Sequence, residues 1–143
     1  MRLFLDANIL FSAAWKEDAS ARLLFELDAA GLCRLTTSRL AVEEARQNIL
    51  RKRPERQDFL ETLIARVNVG PDPAAEHLQQ ASRHGLPDKD IPILAAAIAQ
   101  RADRLVTGDR RDFGHLYGQR IEGLAIVGLN AAIEQVLAKG RKS

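Results

Sequence analysis

The stretch RLFLDANIL (residues 2–10) places an apolar run directly against an aspartate. Leu3, Phe4 and Leu5 have the character of a buried strand, and Asp6 follows where that strand should end. Residues 9–15 then have the composition of a helix. A charged side chain at the carboxyl end of a core strand either caps the next helix or contributes to a site, and Asp6 alone does not decide between these roles.

The rest of the chain repeats this order of strand and helix. CRLTT (33–37), RLV (104–106) and LAIV (124–127) are further strand candidates, and helical patterns cover residues 19–30, 38–53, 55–67, 74–84, 91–102 and 130–139. The segment NVGPDPA (68–74) is predicted to be a loop because it contains a glycine and two prolines. This alternation predicts an α/β fold with three layers, α/β/α, around a central, mainly parallel sheet of about four or five strands. We expect one domain over residues 1–143.

The composition narrows the class of protein. Twenty-one Lys and Arg against 19 Asp and Glu leave a net charge of +2, so basic segments such as RKRPER (51–56) and DRRDF (109–113) permit contact with phosphates without demanding it. The single cysteine, Cys33, excludes an internal disulfide and fits a reducing compartment. The N-terminus has no long apolar segment, and the longest apolar run, 93–99, is far short of the ~20 residues that span a bilayer. We therefore expect a cytoplasmic protein without a membrane segment.

Four acids lie on four separate segments. Asp6 and Asp109 each follow a predicted strand, and ligands of parallel sheets bind at the carboxyl ends of the strands. Asp90 stands at the entrance of a helix, because Pro92 is tolerated only in the first helical turn. Glu44 lies on the shoulder of an apolar helical stripe, whereas Glu43 points further outward. Each acid also has an ordinary interpretation as a cap, a turn residue or a surface residue.

Considered together, the acids suggest a cation. Crowded carboxylates raise one another's pKa, so such a cluster persists best around a positive ion. Oxygen ligands without His or Cys favour a hard ion such as Mg²⁺ or Mn²⁺, and Mg²⁺ is often bound together with substrate phosphates. A reaction at a phosphate ester is therefore expected. The spacing of the acids in the sequence does not by itself show that the four segments meet in the fold.

The chain resembles the PIN-domain family of metal-dependent nucleases, and especially the VapC-type toxins of toxin–antitoxin pairs. The resemblance lies in LDANIL (5–10), SRLAVEEARQNI (38–49), DKDIPILAAAI (88–98) and ADRLVTGDRRDFG (102–114). It implies an endoribonuclease that hydrolyses RNA phosphodiester bonds with Mg²⁺ or Mn²⁺, as the toxin of a type II toxin–antitoxin pair. The implied partners are the RNA substrate, a cognate antitoxin protein and a second copy of the chain in a homodimer.

The resemblance also assigns residues by position. It implies that the catalytic, metal-binding acids are Asp6, Glu44, Asp90 and Asp109, with Glu43 in place of Glu44 if the helical register shifts by one. Asn8 and Thr107 match polar positions that orient these acids, and Asp112 matches a secondary position. Basic side chains beside the acids are expected to contact substrate phosphates, and the candidates are Arg51, Lys52, Arg53, Arg56, Arg110 and Arg111.

Two other classes stay open from the residues alone. A receiver-like signalling domain also binds Mg²⁺ at strand ends, but it pairs acids after its first strand, and Asp6 has no acidic neighbour. A non-catalytic module that binds RNA or protein would tolerate the loss of any acid, yet all four are present.

Overall fold

The computed structural model describes residues 1–142, so position 143 of the predicted domain lies outside the described residues. The strands are β1 (Arg2–Leu5), β2 (Arg34–Thr37), β3 (Asn68–Val69), β4 (Arg104–Val106), β5 (Arg120–Ile121) and β6 (Leu124–Val127). The helices are α1 (Ala7–Trp15), α2 (Arg22–Ala29), α3 (Arg39–Lys52), α4 (Gln57–Ile64), α5 (Ala75–Ala81), α6 (Ile91–Ala99), α7 (Arg110–Phe113) and α8 (Leu129–Lys142). Short 3₁₀ turns cover Pro54–Arg56, Ser82–His84 and Gly114–Leu116.

The strands form one sheet in the order β3-β2-β1-β4-β6-β5, with β1 near its centre. All neighbouring strands are parallel except β5, which runs antiparallel to β6 at the edge. The predicted α/β fold with a mainly parallel sheet is confirmed, but the sheet has six strands instead of four or five. The strand β3 corrects the prediction of a loop over 68–74. Both β3 and β5 are two residues long, which is too short to produce a readable periodicity.

The strand β1 contributes to an apolar core on each face of the sheet. Leu3 and Leu5 pack in one core with residues of α1, α2, α3, α4 and α8, whereas Phe4 packs in the other with residues of α5, α6 and α7. Alternate side chains of a strand point to opposite faces, so a strand covered on both faces needs an unbroken apolar run. The run from Leu3 to Leu5 is therefore what places β1 inside a three-layer structure.

The helices begin and end at recognisable residues. The hydroxyl of Ser38 caps α3 by accepting a hydrogen bond from the amide of Ala41 at 3.2 Å, and the helix ends just before Pro54. The helix α6 begins at Ile91 with Pro92 in its first turn, as predicted. The helix α2 begins at Arg22 instead of residue 19. Over residues 1–142, no helix combines the length and the apolar character that a membrane span requires.

The end of β2 is tied to α6 by Gln100, which is buried. Its Nε2 donates to the carbonyl of Thr37 at 3.0 Å, and its Oε1 accepts a hydrogen bond from the hydroxyl of Thr36. The amide of Gly70 also donates to the Thr37 carbonyl, at 3.0 Å. A Cβ atom at Gly70 would lie 2.6 Å from Nε2 of Gln100, so glycine is required there for lack of space. These contacts fix the carboxyl end of β2, where α3 begins.

Candidate functional site

The candidate site lies at the carboxyl ends of the central parallel strands. The amide of Asp6, directly after β1, donates to the carbonyl of Val106 at 3.0 Å. The amide of Thr107, directly after β4, donates to the carbonyl of Val127 at 3.0 Å. The backbone ladder therefore continues one residue past the strands and sets Asp6 and Thr107 side by side.

Asp6 is buried and accepts three hydrogen bonds. Its Oδ1 accepts from the amide of Ala7 at 2.7 Å, and its Oδ2 accepts from Thr107 Oγ1 at 2.8 Å and from Asn8 Nδ2 at 3.1 Å. Burial raises the pKa of the Asp6 carboxyl, and these hydrogen bonds oppose that rise. Asp6 is thus the cap of α1, and the same carboxylate carries a charge that burial disfavours.

Thr107 and Asn8 connect Asp6 to Asp109. The Thr107 hydroxyl, fully buried, donates to Asp6 and accepts from the amide of Asp109 at 3.1 Å. The Oδ1 of Asn8 accepts from the amide of Gly108 at 2.7 Å, while its Nδ2 donates to Asp6. These two polar side chains fix the turn that carries Asp109.

Three aspartates form a compact cluster beside Asp6. One carboxylate oxygen from each of Asp90, Asp109 and Asp112 lies within 4.8 Å of the other two. Asp109 caps the short helix α7, because its Oδ1 accepts from the amide of Asp112 at 3.0 Å. The cap brings Asp112 one helical turn past Asp109 and into the cluster. The family resemblance implies only a secondary position for Asp112, and the spacing D-x-x-D after a strand is the signal for its place in the cluster.

Lys89 bridges two of these acids and was missed by the sequence interpretation. Its Nζ donates to Asp90 Oδ2 at 2.9 Å and to Asp112 Oδ2 at 2.7 Å. Burial raises the pKa of Asp90 to about 6, although the hydrogen bond from Lys89 acts against that rise. The hydrogen bond from Lys89 lowers the pKa of Asp112, which lies nearer to the solvent. An ammonium group therefore occupies a position between two oxygens where a cation is electrostatically favoured.

Glu44 faces the acids and Glu43 does not. Burial raises the pKa of Glu44, and the charges of Asp6 and Asp90 raise it further. Glu43 instead accepts a hydrogen bond from Arg46 Nη1 at 2.7 Å, on the exposed side of α3. Asp6 and Glu44 border the compact trio but are not members of it. Among the described side chains, the four predicted acids therefore do not form one cluster with all carboxylate oxygens within 4.8 Å of one another.

The donor chemistry of this cluster fits a hard divalent cation. The compact trio and its two neighbours offer carboxylate oxygens, without histidine or cysteine in the trio. Oxygen-only donors suit Mg²⁺ or Mn²⁺, and Mg²⁺ needs only one or two carboxylates when substrate phosphates supply further oxygens. Asp90, Asp109 and Asp112 are the residues that would hold such an ion, with Asp6 and Glu44 beside them.

The predicted basic residues fall into two groups. Arg110 and Arg111 lie in α7, directly after Asp109. Arg51 lies on the same face of α3 as Glu44, but seven residues further on, which is about 10 Å along the helix axis. Lys52 and Arg53 lie beside it and over aromatic rings: Lys52 Nζ is 5.4 Å from the centroid of Phe11, and the guanidinium of Arg53 is 4.9 Å from that of Trp15. Arg56 Nε donates to the carbonyl of Ala14 at 2.8 Å, so of the six predicted basic residues the structure brings only Arg110 and Arg111 next to the acids.

Comparisons with known proteins agree on one fold. The family model described as the PIN domain matches residues 2–111. The structure is similar to VapBC2 from Rickettsia felis bound to a promoter DNA fragment, with a TM-score of 0.67 and 22% identity over 90% of this chain and 98% of that one. It is also similar to PAE2754 from Pyrobaculum aerophilum, with a TM-score of 0.67 and 18% identity over 96% of each chain. DNA-bound VapBC from Salmonella typhimurium gives a TM-score of 0.67 and 22% identity over 90% of this chain and 98% of that one. A search of curated proteins finds no match.

Proposed function

The chain belongs to the PIN-domain family, and from that membership we propose that it is a metal-dependent endoribonuclease that hydrolyses phosphodiester bonds of RNA. Proteins of this family are generally nucleases that use divalent metals. The observation that carries the proposal is the cluster of carboxylates from Asp90, Asp109 and Asp112, within 4.8 Å of one another, beside the buried Asp6. Carboxylates at such distances repel one another unless a cation lies among them, and the ammonium of Lys89 bridges only Asp90 and Asp112.

The protein side chains have separate tasks in this proposal. A bound Mg²⁺ or Mn²⁺ would lower the pKa of a water molecule and offset the negative charge of the attacked phosphate. Asp90, Asp109 and Asp112 would hold the ion. Asn8 and Thr107 keep Asp6 and Asp109 in fixed orientations through their hydrogen bonds. Arg110 supplies positive charge at the edge of this acidic region, where a phosphate of the substrate would otherwise be repelled.

We further propose that the chain is the toxin of a toxin–antitoxin pair. Its likeness to the VapBC structures of two bacteria supports an antitoxin protein as partner. A homodimer and a single domain over residues 1–143 stay predictions. Co-purification of the chain with the product of a neighbouring gene, and relief of its RNA cleavage by that product, would support the pairing.

Cleavage of a mixed RNA pool tests the proposed nuclease, with the adjacent glutamates of α3 as a matched pair. We expect cutting with Mn²⁺ or Mg²⁺ and none with EDTA. Glu44→Gln should lower the cleavage rate about 10–100-fold, because Glu44 borders the metal-holding acids. Glu43→Gln should cut like the wild type, since it loses only an exposed ion pair with Arg46.

Each other outcome has a distinct meaning. RNA binding without metal-dependent cutting would favour a non-catalytic binding module. Loss of cutting in Glu43→Gln with retention in Glu44→Gln would reverse the assignment of the helical acid. Cutting that is equal in EDTA and in Mn²⁺ would contradict the metal-dependent reaction.

Replacement of Lys89 by methionine tests whether its ammonium group competes with a metal ion. We expect Lys89→Met to bind Mn²⁺ about tenfold more tightly, because a bound ion would no longer have to displace Nζ from Asp90 and Asp112. Isothermal titration with Mn²⁺ measures the affinity directly and does not depend on activity. Lys16→Met is the control, since among the described residues the ammonium of Lys16 forms an ion pair only with the exposed Asp18, at 3.9 Å. An unchanged or weaker affinity in Lys89→Met would refute the competition.

A further inference from the structure

A cavity of about 380 Å³ opens beside the acids, between the residues that follow β4 and the first turn of α8. Its wall includes Thr107, Arg110, Tyr117, Asn130 and Ala131, together with Ser20 from the segment between α1 and α2. Volumes of this size are typical of small-ligand sites. The cavity lies outside the carboxyl ends of β4 and β6, at the same edge of the sheet as the acidic cluster.

The cavity and the acids share a wall. Thr107 lines the cavity, and its hydroxyl donates to Asp6 at 2.8 Å and accepts from the amide of Asp109 at 3.1 Å. Arg110, which also lines the cavity, directly follows Asp109 in the chain. A strand of RNA with one phosphodiester at the acids therefore has a neighbouring nucleotide within reach of this cavity.

The lining has the chemistry of a nucleotide site. The guanidinium of Arg110 lies over the ring of Tyr117, 5.6 Å from its centroid, and the Tyr117 hydroxyl donates to the carbonyl of Thr107 at 2.7 Å. This contact and this hydrogen bond hold a positive charge and an aromatic wall at the mouth of the cavity. Single-stranded RNA is recognised by arginine at its phosphates and by stacking and edge hydrogen bonds at its bases.

Two polar side chains are available to read a base edge. Ser20 and Asn130 are exposed at the cavity wall, and within residues 1–142 neither side chain makes a hydrogen bond to another part of the protein. A hydroxyl and a carboxamide each offer both a donor and an acceptor, so together they can distinguish bases. Ala131, the next residue of α8, adds an apolar side chain to the lining.

A larger neighbouring cavity has the wrong charge for RNA. This cavity of about 590 Å³ lies on the other side of Ser20 and Asn130. Its charged residues are one arginine and four acids: Arg22, Glu17, Asp18, Glu26 and Glu134. A polyanion is repelled from such a surface, whereas the cavity beside Thr107 has Arg110 as its charged residue.

We propose that the cavity beside Thr107 binds one nucleotide of the RNA substrate, adjacent to the phosphodiester that is cut, and sets the preferred base at that position. Arg110 contacts the phosphate, and the base enters between Tyr117 and Ala131 towards Ser20 and Asn130. The inference rests on the proposed function in that its ligand is the RNA substrate.

Two alanines of α8 provide a matched test. Ala131→Leu adds three carbon atoms inside the cavity, whereas Ala138→Leu adds them to an exposed position of the same helix. Leucine is a good helix former at both sites, so comparable melting temperatures are expected. Asn130→Ala is a second variant that leaves the cavity open and removes only the carboxamide.

Two measurements are made on each variant. The first is the binding of AMP, CMP, GMP and UMP to the metal-free protein in EDTA, which is measured from the changes in NMR chemical shifts. The second is the sequence around the cut sites in a mixed RNA pool. We expect wild type and Ala138→Leu to bind one nucleotide in preference to the others and to cut next to that base. Ala131→Leu should bind it at least about tenfold more weakly and lose the shared base, and Asn130→Ala should relax the base preference.

The outcomes separate this inference from the proposed nuclease activity. Identical nucleotide binding and identical cut sites in Ala131→Leu and Ala138→Leu would overturn the nucleotide site while leaving the nuclease intact. The wild type could bind a nucleotide and yet cut no RNA. If Ala131→Leu then abolishes that binding, the nucleotide site stands and the proposed nuclease activity is rejected. If Ala131→Leu fails to fold, a base preference unchanged in Asn130→Ala overturns the role given to the carboxamide and with it the inference.

Discussion

Asp6→Asn is expected to lower metal-dependent RNA cleavage by at least about 10³-fold, because stabilisation of charge at the attacked phosphate is worth several kcal/mol and each 1.36 kcal/mol is a factor of ten. The change removes the charge and keeps the shape of the side chain. It therefore tests the electrostatic role of Asp6 separately from its role as the cap of α1. The rate is measured on a single fluorescent RNA under single-turnover conditions with Mn²⁺.

The same variant should keep its fold. Asparagine can still accept from the amide of Ala7, but its Nδ2 cannot accept from Thr107 or Asn8, and removal of the buried charge offsets these two lost hydrogen bonds. Because burial raises the pKa of Asp6, the metal-free wild type loses stability as the pH rises through that pKa. Asp6→Asn has no carboxyl at this position, so its stability should fall less over the same pH range. Mn²⁺ should raise the melting temperature of the wild type, and it should raise that of Asp6→Asn by less, because Asp90, Asp109 and Asp112 would still hold the ion but the neighbouring charge of Asp6 is gone. A variant that cuts at the wild-type rate would contradict the assignment of Asp6 to the site.

Gly70→Ala is expected to destabilise the protein by about 2–4 kcal/mol and to lower its melting temperature by about 10 °C. The new Cβ atom would overlap the side-chain amide of Gln100, which is buried and has hydrogen bonds to Thr36 and Thr37. Displacement of Gln100 removes both hydrogen bonds from its buried side-chain amide, and a buried polar group without a partner costs about 1–3 kcal/mol. Thermal and urea unfolding monitored by circular dichroism measure the loss.

Two further variants give this prediction a control and a mechanism. Gly114→Ala is the control, because Gly114 has φ −55° and a Cβ atom there would meet nothing within 4 Å. If overlap with Gln100 is the cause, Gly70→Ala should cost much less when Gln100 is already alanine. If Gly70→Ala lowers the free energy of unfolding equally with Gln100 and with alanine at position 100, overlap with Gln100 is not the cause of the destabilisation.

The strands at the centre of the fold could be predicted because each contains a short apolar run, as expected of a strand that is buried on both faces. Leu3 to Leu5 form an unbroken apolar run that only a strand buried on both faces explains, and RLV (104–106) and LAIV (124–127) match the observed β4 and β6. The strand β3 has no such signal. Asn68 and Val69 pair with Thr36 and Thr37 because the chain passes beside β2, not because of their own propensity.

The candidate site was predictable in part for similar reasons. A residue close behind a core strand has little freedom of position, so Asp6, directly after β1, and Asp109, three residues after β4, lie at the same edge of the sheet, as expected from the order of the strands. Helical periodicity separates Glu44 from Glu43 by only 100°, and the ion pair of Glu43 with Arg46 completes the distinction. The bridge formed by Lys89 depends on the rotamers of a flexible side chain and on the distance between two loops, neither of which a linear pattern contains.

The central place of β1 in the sheet also determines when the molecule acquires its proposed activity during synthesis. Asp6 and its partner Thr107 are 101 residues apart, and the acids of the cluster begin at residue 90. Contacts this distant in sequence form only after both partners have left the ribosome, and they also carry the entropic cost of closing a long loop. A nascent chain that ends before β4 lacks both the neighbour of β1 and the turn that carries Asp109. The proposed site therefore cannot assemble before β4 and the turn that follows it have been made.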